Sequence, residues 1–151
     1  MLSISIPWQI VTGNGIPPYT FVPLTPNPLN EVAQNYTVTL NPEIASAPSD
    51  IPFLGVAGFA VNGMPWFGPN EGPMPDNFGD PIYNGITDGC FGHTAYEYHH
   101  HALAQQCLVQ DAVASAEPWT LAAPDPNEAS PIIGWALDGF PIYGPYGCTD
   151  E

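Results

Sequence analysis

Apolar and polar residues alternate along this chain in short runs that stop before a helix could form. Tyr36–Leu40 alternates cleanly, Ile4–Val11 does so until Pro7 interrupts it, and Phe53–Val61 and Ile132–Leu137 are apolar runs of strand length. Two of these runs open an internal repeat. Gly58-Phe-Ala-Val-Asn-Gly-Met-Pro-Trp-Phe-Gly-Pro69 returns as Gly134-Trp-Ala-Leu-Asp-Gly-Phe-Pro-Ile-Tyr-Gly-Pro145, with six of twelve positions identical and the others swapped like for like. In each copy an apolar run meets Asn62-Gly63 or Asp138-Gly139, the pair preferred in type I′ hairpin turns because both residues tolerate positive φ. A second apolar run follows, with a proline that confines it to an edge or a bulge. Residues 12–30 are rich in Pro, Asn and Thr and read as an ordered loop or arm; 102–115 is the one stretch with helical content, and 117–130 is a proline-containing connector. The expected fold is mainly β, a sheet or sandwich of short strands around the two repeated hairpins, with little helix. Residues 1–50 form a strand and arm region, and 51–151 one compact unit.

Twenty prolines and fifteen glycines agree with many turns. Charge alters the picture more. The chain has no lysine or arginine and a formal net charge of −15, whereas average usage would place roughly 18 basic residues in a chain of this length. Its acidic content is ordinary, so the charge comes from missing cations. Nucleic-acid binding through phosphate neutralisation is excluded, as is attraction to anionic lipid surfaces. Divalent cations become the natural counter-ions, calcium at the acidic surface among them, and trypsin finds nothing to cut. No apolar run approaches the ~20 residues that would insert in a membrane. The start lacks the charged n-region of a signal peptide, and the expectation is that a signal was removed or that the true N-terminus lies upstream. Asn35-Tyr36-Thr37 is a glycosylation sequon. Of three cysteines, Cys90 and Cys107 bracket the histidines and a bridge between them would staple that segment, leaving Cys148 free to pair between molecules. These features together point to a secreted or cell-envelope setting.

The chemistry is concentrated. All four histidines, His93, His99, His100 and His101, fall within nine positions. If Tyr98–His101 is extended, His99 and His101 share one face, and Tyr98 and His100 the other. His93, arriving from a preceding turn, supplies a third nitrogen. Three imidazoles with a carboxylate or water suit zinc or copper. Asp88 and Asp138 are the candidate carboxylates, as fourth ligand or as acceptors that fix an imidazole tautomer. Cys90 is either a ligand or half of a disulfide. The bland alternative is a solvated polar strand. Tyr96 and Tyr98 read as core aromatics.

Asp88-x-Cys90-x-Gly92-His93, then Tyr98 to His101, Cys107-Leu108 and the block from Ser130 to Tyr146 resemble the YHYH-domain proteins over about residues 51–147. The eponymous motif falls on Tyr98, His99, His100 and His101, with His100 where the family has tyrosine. The resemblance implies a secreted or envelope-associated domain for which metal binding, copper especially, is the suspected role. Family members continue into a second segment of this kind, and the repeat here leads to the same expectation. The resemblance and the repeat together lead to the expectation that the chain is a fragment or that another molecule supplies that half.

Three functions compete. The first is an extracytoplasmic domain that binds copper or zinc. The second is a structural subunit of a protease-resistant extracellular filament or matrix, self-associating through the N-terminal arm or the incomplete C-terminal repeat. The third and least favoured is an enzyme in which a three-histidine metal with an open position activates water, with Glu97 or Asp88 as base; the chain has no Lys or Arg to clamp an anionic substrate.

Overall fold

The computed structural model describes residues 7–20, 22–51, 53–72, 79–102, 107–108 and 125–147. It is mainly β, with two sheets. Strands β1 (Trp8–Gly13) and β2 (Gln34–Thr39) form an antiparallel ribbon. Strands β3 (Val56–Ala60), β4 (Pro65–Phe67), β5 (Gly92–Thr94), β6 (Tyr98–His100), β7 (Ile132–Ala136) and β8 (Pro141–Tyr143) form one six-stranded sheet in the order β5-β6-β4-β3-β7-β8. Of the stretch expected to be helical, only Ala102, Cys107 and Leu108 lie among the described residues, and the last two are helical. Cys148 and most of the 117–130 connector lie outside them.

The repeat becomes the centre of the sheet. β3 pairs with β4 through Val56↔Phe67, Gly58↔Trp66 and Phe59↔Pro65, with a bulge between Val56 and Gly58. β7 pairs with β8 through Ile132↔Tyr143, Gly134↔Ile142 and Trp135↔Pro141, with the bulge in the same place. The two hairpins then join by β3 against β7, Gly58↔Ala136, Phe59↔Trp135 and Ala60↔Gly134. Phe59 thus faces its repeat counterpart Trp135, while Gly58 faces the counterpart of Ala60 and Ala60 that of Gly58, so a local two-fold axis passes between Phe59 and Trp135. Bonds off the ladder obey the same symmetry: Val61 N–H donates to Ile133 O, and Leu137 N–H to Ala57 O. Gly58 and Gly134 are required by this crossing, since a Cβ on either would lie 2.6 Å from the carbonyl oxygen of Trp135 or Phe59.

The turns correct one expectation. Gly63 N–H donates to Ala60 O and Ala60 N–H to Met64 O; Gly139 and Ala136 do the same with Ala136 and Phe140. Only the glycines take positive φ, 84° and 91°. This is a type I turn followed by a left-handed glycine, not the type I′ turn that the Asn-Gly and Asp-Gly pairs suggest. Asn62 and Asp138 stay at negative φ because their side chains serve the turn, each Oδ1 accepting the N–H two residues on, from Met64 and Phe140.

The ribbon packs on the central strands. Tyr36 stacks on Phe59 at 5.0 Å, and Phe59 on Trp135 at 6.0 Å. Two apolar clusters lie under the sheet: Ala60, Trp66 and Ile133, and Tyr19 with Met64, Tyr98 and the Cys90–Cys107 disulfide. Tyr98 is fully buried, as expected of a core aromatic. Tyr96 is not; it is 80% exposed, in the bend before β6.

Candidate metal centre

The histidine segment is a tight antiparallel pair, β5 against β6, with His93 directly opposite His99. Its turn is built by Asp88. One carboxylate oxygen accepts the backbone N–H groups of Cys90 and Gly92, the other accepts the Tyr98 hydroxyl, and Asp88 N–H closes the turn on Gly92 O. Phe91 takes a left-handed φ of 54° there, a strained position that the Asp88 bonds and the neighbouring disulfide hold. Gly92 is needed because a side chain on it would run into the Tyr98 ring.

Alternation along β6 separates the imidazoles. His100 and Tyr98 point into the core, where His100 Nδ1–H donates to Cys90 O at 2.9 Å and Nε2 lies 3.3 Å from the Tyr19 hydroxyl. Burial pushes the His100 imidazole down to about 4. His99 and the following His101 point to the other face. There His99 stacks on Phe67 at 3.9 Å and meets His93 across the strand pair.

Four groups converge on this face. Nε2 of His101 lies 3.2 Å from Nε2 of His93 and 3.0 Å from Nε2 of His99. Glu71 Oε2 lies 2.7, 3.5 and 3.2 Å from Nε2 of His93, His99 and His101. These donor atoms all fall within 4.8 Å of one another. Tetrahedral zinc, with ligands at about 2.0–2.1 Å, would place its donor atoms about 3.3 Å apart. The three histidine side chains are at most 3% exposed, so the face is no solvated polar strand.

Backbone carbonyls set two of the tautomers. His99 Nδ1 lies 2.9 Å from Glu97 O, and His101 Nδ1 2.9 Å from Gly68 O. A carbonyl can only accept, so each Nδ1 carries the proton and each Nε2 lone pair points into the cluster. Two lone pairs 3.0 Å apart, beside a carboxylate, are satisfied only by a cation between them, a proton or a metal ion. No such partner fixes His93, whose Nδ1 is buried without a hydrogen bond among the described residues. Hydrogen bonds to His101, His93 and His99 hold the Glu71 carboxyl well below the usual carboxylate range. Burial pulls the His99 imidazole below its ordinary value.

The structure thus brings His93, His99 and His101 together and supplies a carboxylate that sequence reading missed. Glu71 sits two residues beyond the first repeat unit, where Phe67 and Gly68 already touch the histidines. The two carboxylates expected from sequence are elsewhere. Asp88 is fully buried on the Tyr98 side of β6, and burial raises its carboxyl above the ordinary range. Asp138 caps the second hairpin turn. Cys90 is disulfide-bonded to Cys107 and is no thiolate ligand. Glu97 accepts from the Gln34 amide at 3.0 Å, and Asn35 is exposed in the ribbon.

No curated protein and no solved structure matches the chain. The sequence profile of the YHYH protein family matches residues 35–151, a span that takes in Glu71, all four histidines, both hairpins and all of the ribbon's second strand but its first residue, Gln34. The chain belongs to the YHYH protein family.

Proposed function

We propose that this chain binds one transition-metal ion, zinc or copper, through Nε2 of His93, His99 and His101 and the carboxylate of Glu71. The carrying observation is the convergence of these four donor atoms, with Nδ1 of His99 and His101 tied to carbonyls so that their lone pairs face inward. Three imidazoles and a carboxylate suit zinc or copper(II) better than copper(I), which prefers thiolate and thioether sulfur. With Glu71 as fourth ligand the protein fills a tetrahedral shell, the arrangement of a site that holds its ion rather than one open to substrate. The role is therefore sequestration or structural metal binding outside the cytoplasm, a setting with which the disulfide is compatible.

Elemental analysis after purification from medium containing trace zinc and copper tests this reading. Wild type should carry close to one equivalent, and His99→Ala/His101→Ala none. Glu71→Gln keeps the imidazoles and removes the negative ligand. Since loss of groups that only orient a ligand costs about 10–100-fold in affinity, it should weaken binding at least about tenfold in chelator competition. A folded wild type that neither carries nor takes up either ion would sink the proposal.

A further inference from the structure

The local two-fold makes the two hairpins equivalent bond for bond, yet their outer edges differ. The outer edge of β4 is occupied by β6, which runs parallel to it with His100 bridged to Trp66. The outer edge of β8, its symmetry counterpart, pairs with no strand among the described residues. We infer that this edge of β8 is a strand-acceptor surface for an extended peptide segment running parallel to it and, like β6, rich in imidazole side chains beside an aromatic one.

The backbone polarity supports this. Gly68 N–H donates inward to Gly55 O, and Gly144 N–H inward to Pro131 O. Because successive N–H groups along a strand point to opposite edges, the N–H groups of Phe67 and Tyr143 face outward. On β4 that direction is where β6 lies. Pro141 does not block the edge, since Pro65 holds the same place in β4 and β6 pairs there regardless. Burial follows occupancy. Pro65 and Trp66 are buried and Phe67 is intermediate, whereas Pro141 is exposed, Ile142 intermediate and Tyr143 exposed.

The occupant's chemistry is read from the filled edge. Phe67 stacks on His99, and the Trp66 ring lies 6.2 Å from His100. The counterpart of Phe67 is Tyr143, an aromatic ring 54% exposed and placed to stack on the equivalent side chain of an added strand. Ile142, the counterpart of Trp66, offers an apolar contact to the residue beside it. A chain with no lysine or arginine and a net charge of −15 favours a strand that is neutral or cationic, as imidazoles are. Addition of such a strand to a sheet edge takes its affinity from main-chain hydrogen bonds and its specificity from alternate side chains. This inference does not depend on metal binding.

The test titrates a synthetic peptide of this chain's own Tyr96–Ala102 sequence into isotope-labelled full-length protein. It is followed by amide NMR with a chelator present, so that peptide imidazoles cannot act through a metal. Saturable shifts centred on the amides of Tyr143 and Gly144 are expected. Tyr143→Pro removes the one outward N–H while leaving the inward bonds, and should abolish them. Tyr143→Ser keeps the backbone, removes the ring and should weaken binding several-fold, a readout that survives if the proline variant does not fold. Absence of shifts at β8, or equal binding to folded Tyr143→Pro, overturns the inference. Self-association lost in Tyr143→Pro without peptide binding would give the edge to a second copy and overturn the assigned occupant.

Discussion

His99 and His100 are adjacent in sequence and face opposite sides of β6, so one imidazole meets Glu71 and the other is enclosed by Tyr19, Trp66 and Cys90. That division predicts a pH response. The His100 imidazole is depressed by burial to about 4, so below its ordinary value of about 6.5 the unfolded chain takes up a proton that the native protein refuses. Its stabilising contribution is whole above about pH 6.5 and is lost as pH falls toward 4, on the order of 3 kcal/mol across the window. His99, also lowered by burial, acts in the same direction. Asp88 acts in the opposite one. Its carboxyl is raised by burial, so its contribution is whole below the ordinary carboxylate value and is lost as pH rises through the folded value. It offsets part of the histidine effect at the acid end. In urea unfolding of metal-free protein, the midpoint should drop between about pH 7 and pH 4.5, and His100→Asn, which keeps a donor for Cys90 O, should flatten the slope. A midpoint that does not move would contradict the burial of neutral His100.

At the scale of elements, the two hairpins are equal in backbone and unequal in surroundings, and two glycine substitutions separate these. Gly63 and Gly139 both hold a left-handed φ. An alanine at either pays the conformational cost of that region, about 1–2 kcal/mol. A Cβ at Gly63 meets nothing within 4 Å, whereas one at Gly139 would lie 2.5 Å from Thr39 O, where the ribbon crosses the second turn. Gly139→Ala should therefore destabilise the protein clearly more than Gly63→Ala in parallel denaturant titrations. Equal losses would mean that the ribbon does not bear on that turn. These hairpins were legible in the sequence because a turn pair between two apolar runs is a local signal, and its recurrence 76 positions later is hard to produce otherwise. The faces of β6 were legible for the same reason, through the two-residue period of a strand. Glu71 was not, because the parallel pairing of β6 with β4 is non-local. Nothing within a few residues of Glu71 indicates that Gly68 and Phe67 will lie beside His101 and His99. Asp88 misled in the opposite way: a carboxylate near histidines looks like a ligand, but spaced two and four residues from backbone N–H groups it builds a turn.

For the whole molecule the absence of lysine and arginine leaves fifteen carboxylates without a basic side-chain partner apart from the histidines. Any divalent cation will then relieve some repulsion, and a metal that merely screens charge must be told apart from one held by His93, His99, His101 and Glu71. Thermal unfolding separates the two. An ion that binds only the native site adds about 2.7 kcal/mol at one hundred times its dissociation constant, which for a chain of this length raises Tm by roughly 5–10 °C. Zinc or copper(II) at about micromolar concentration should give a shift of this size in wild type and none in His99→Ala/His101→Ala, because RT ln(1 + [L]/Kd) disappears with the ligands. Calcium at the same concentration should shift neither protein, since a hard cation of this kind wants six or more oxygen ligands and the cluster offers one carboxylate. At far higher concentration calcium should raise both proteins equally, through the acidic surface they share. If calcium at the lower concentration matched zinc, or if the double variant kept the zinc shift, the stabilisation would come from the charge of the whole surface. The convergent imidazoles would then be a protonated cluster that holds β5, β6 and the Glu71 loop together.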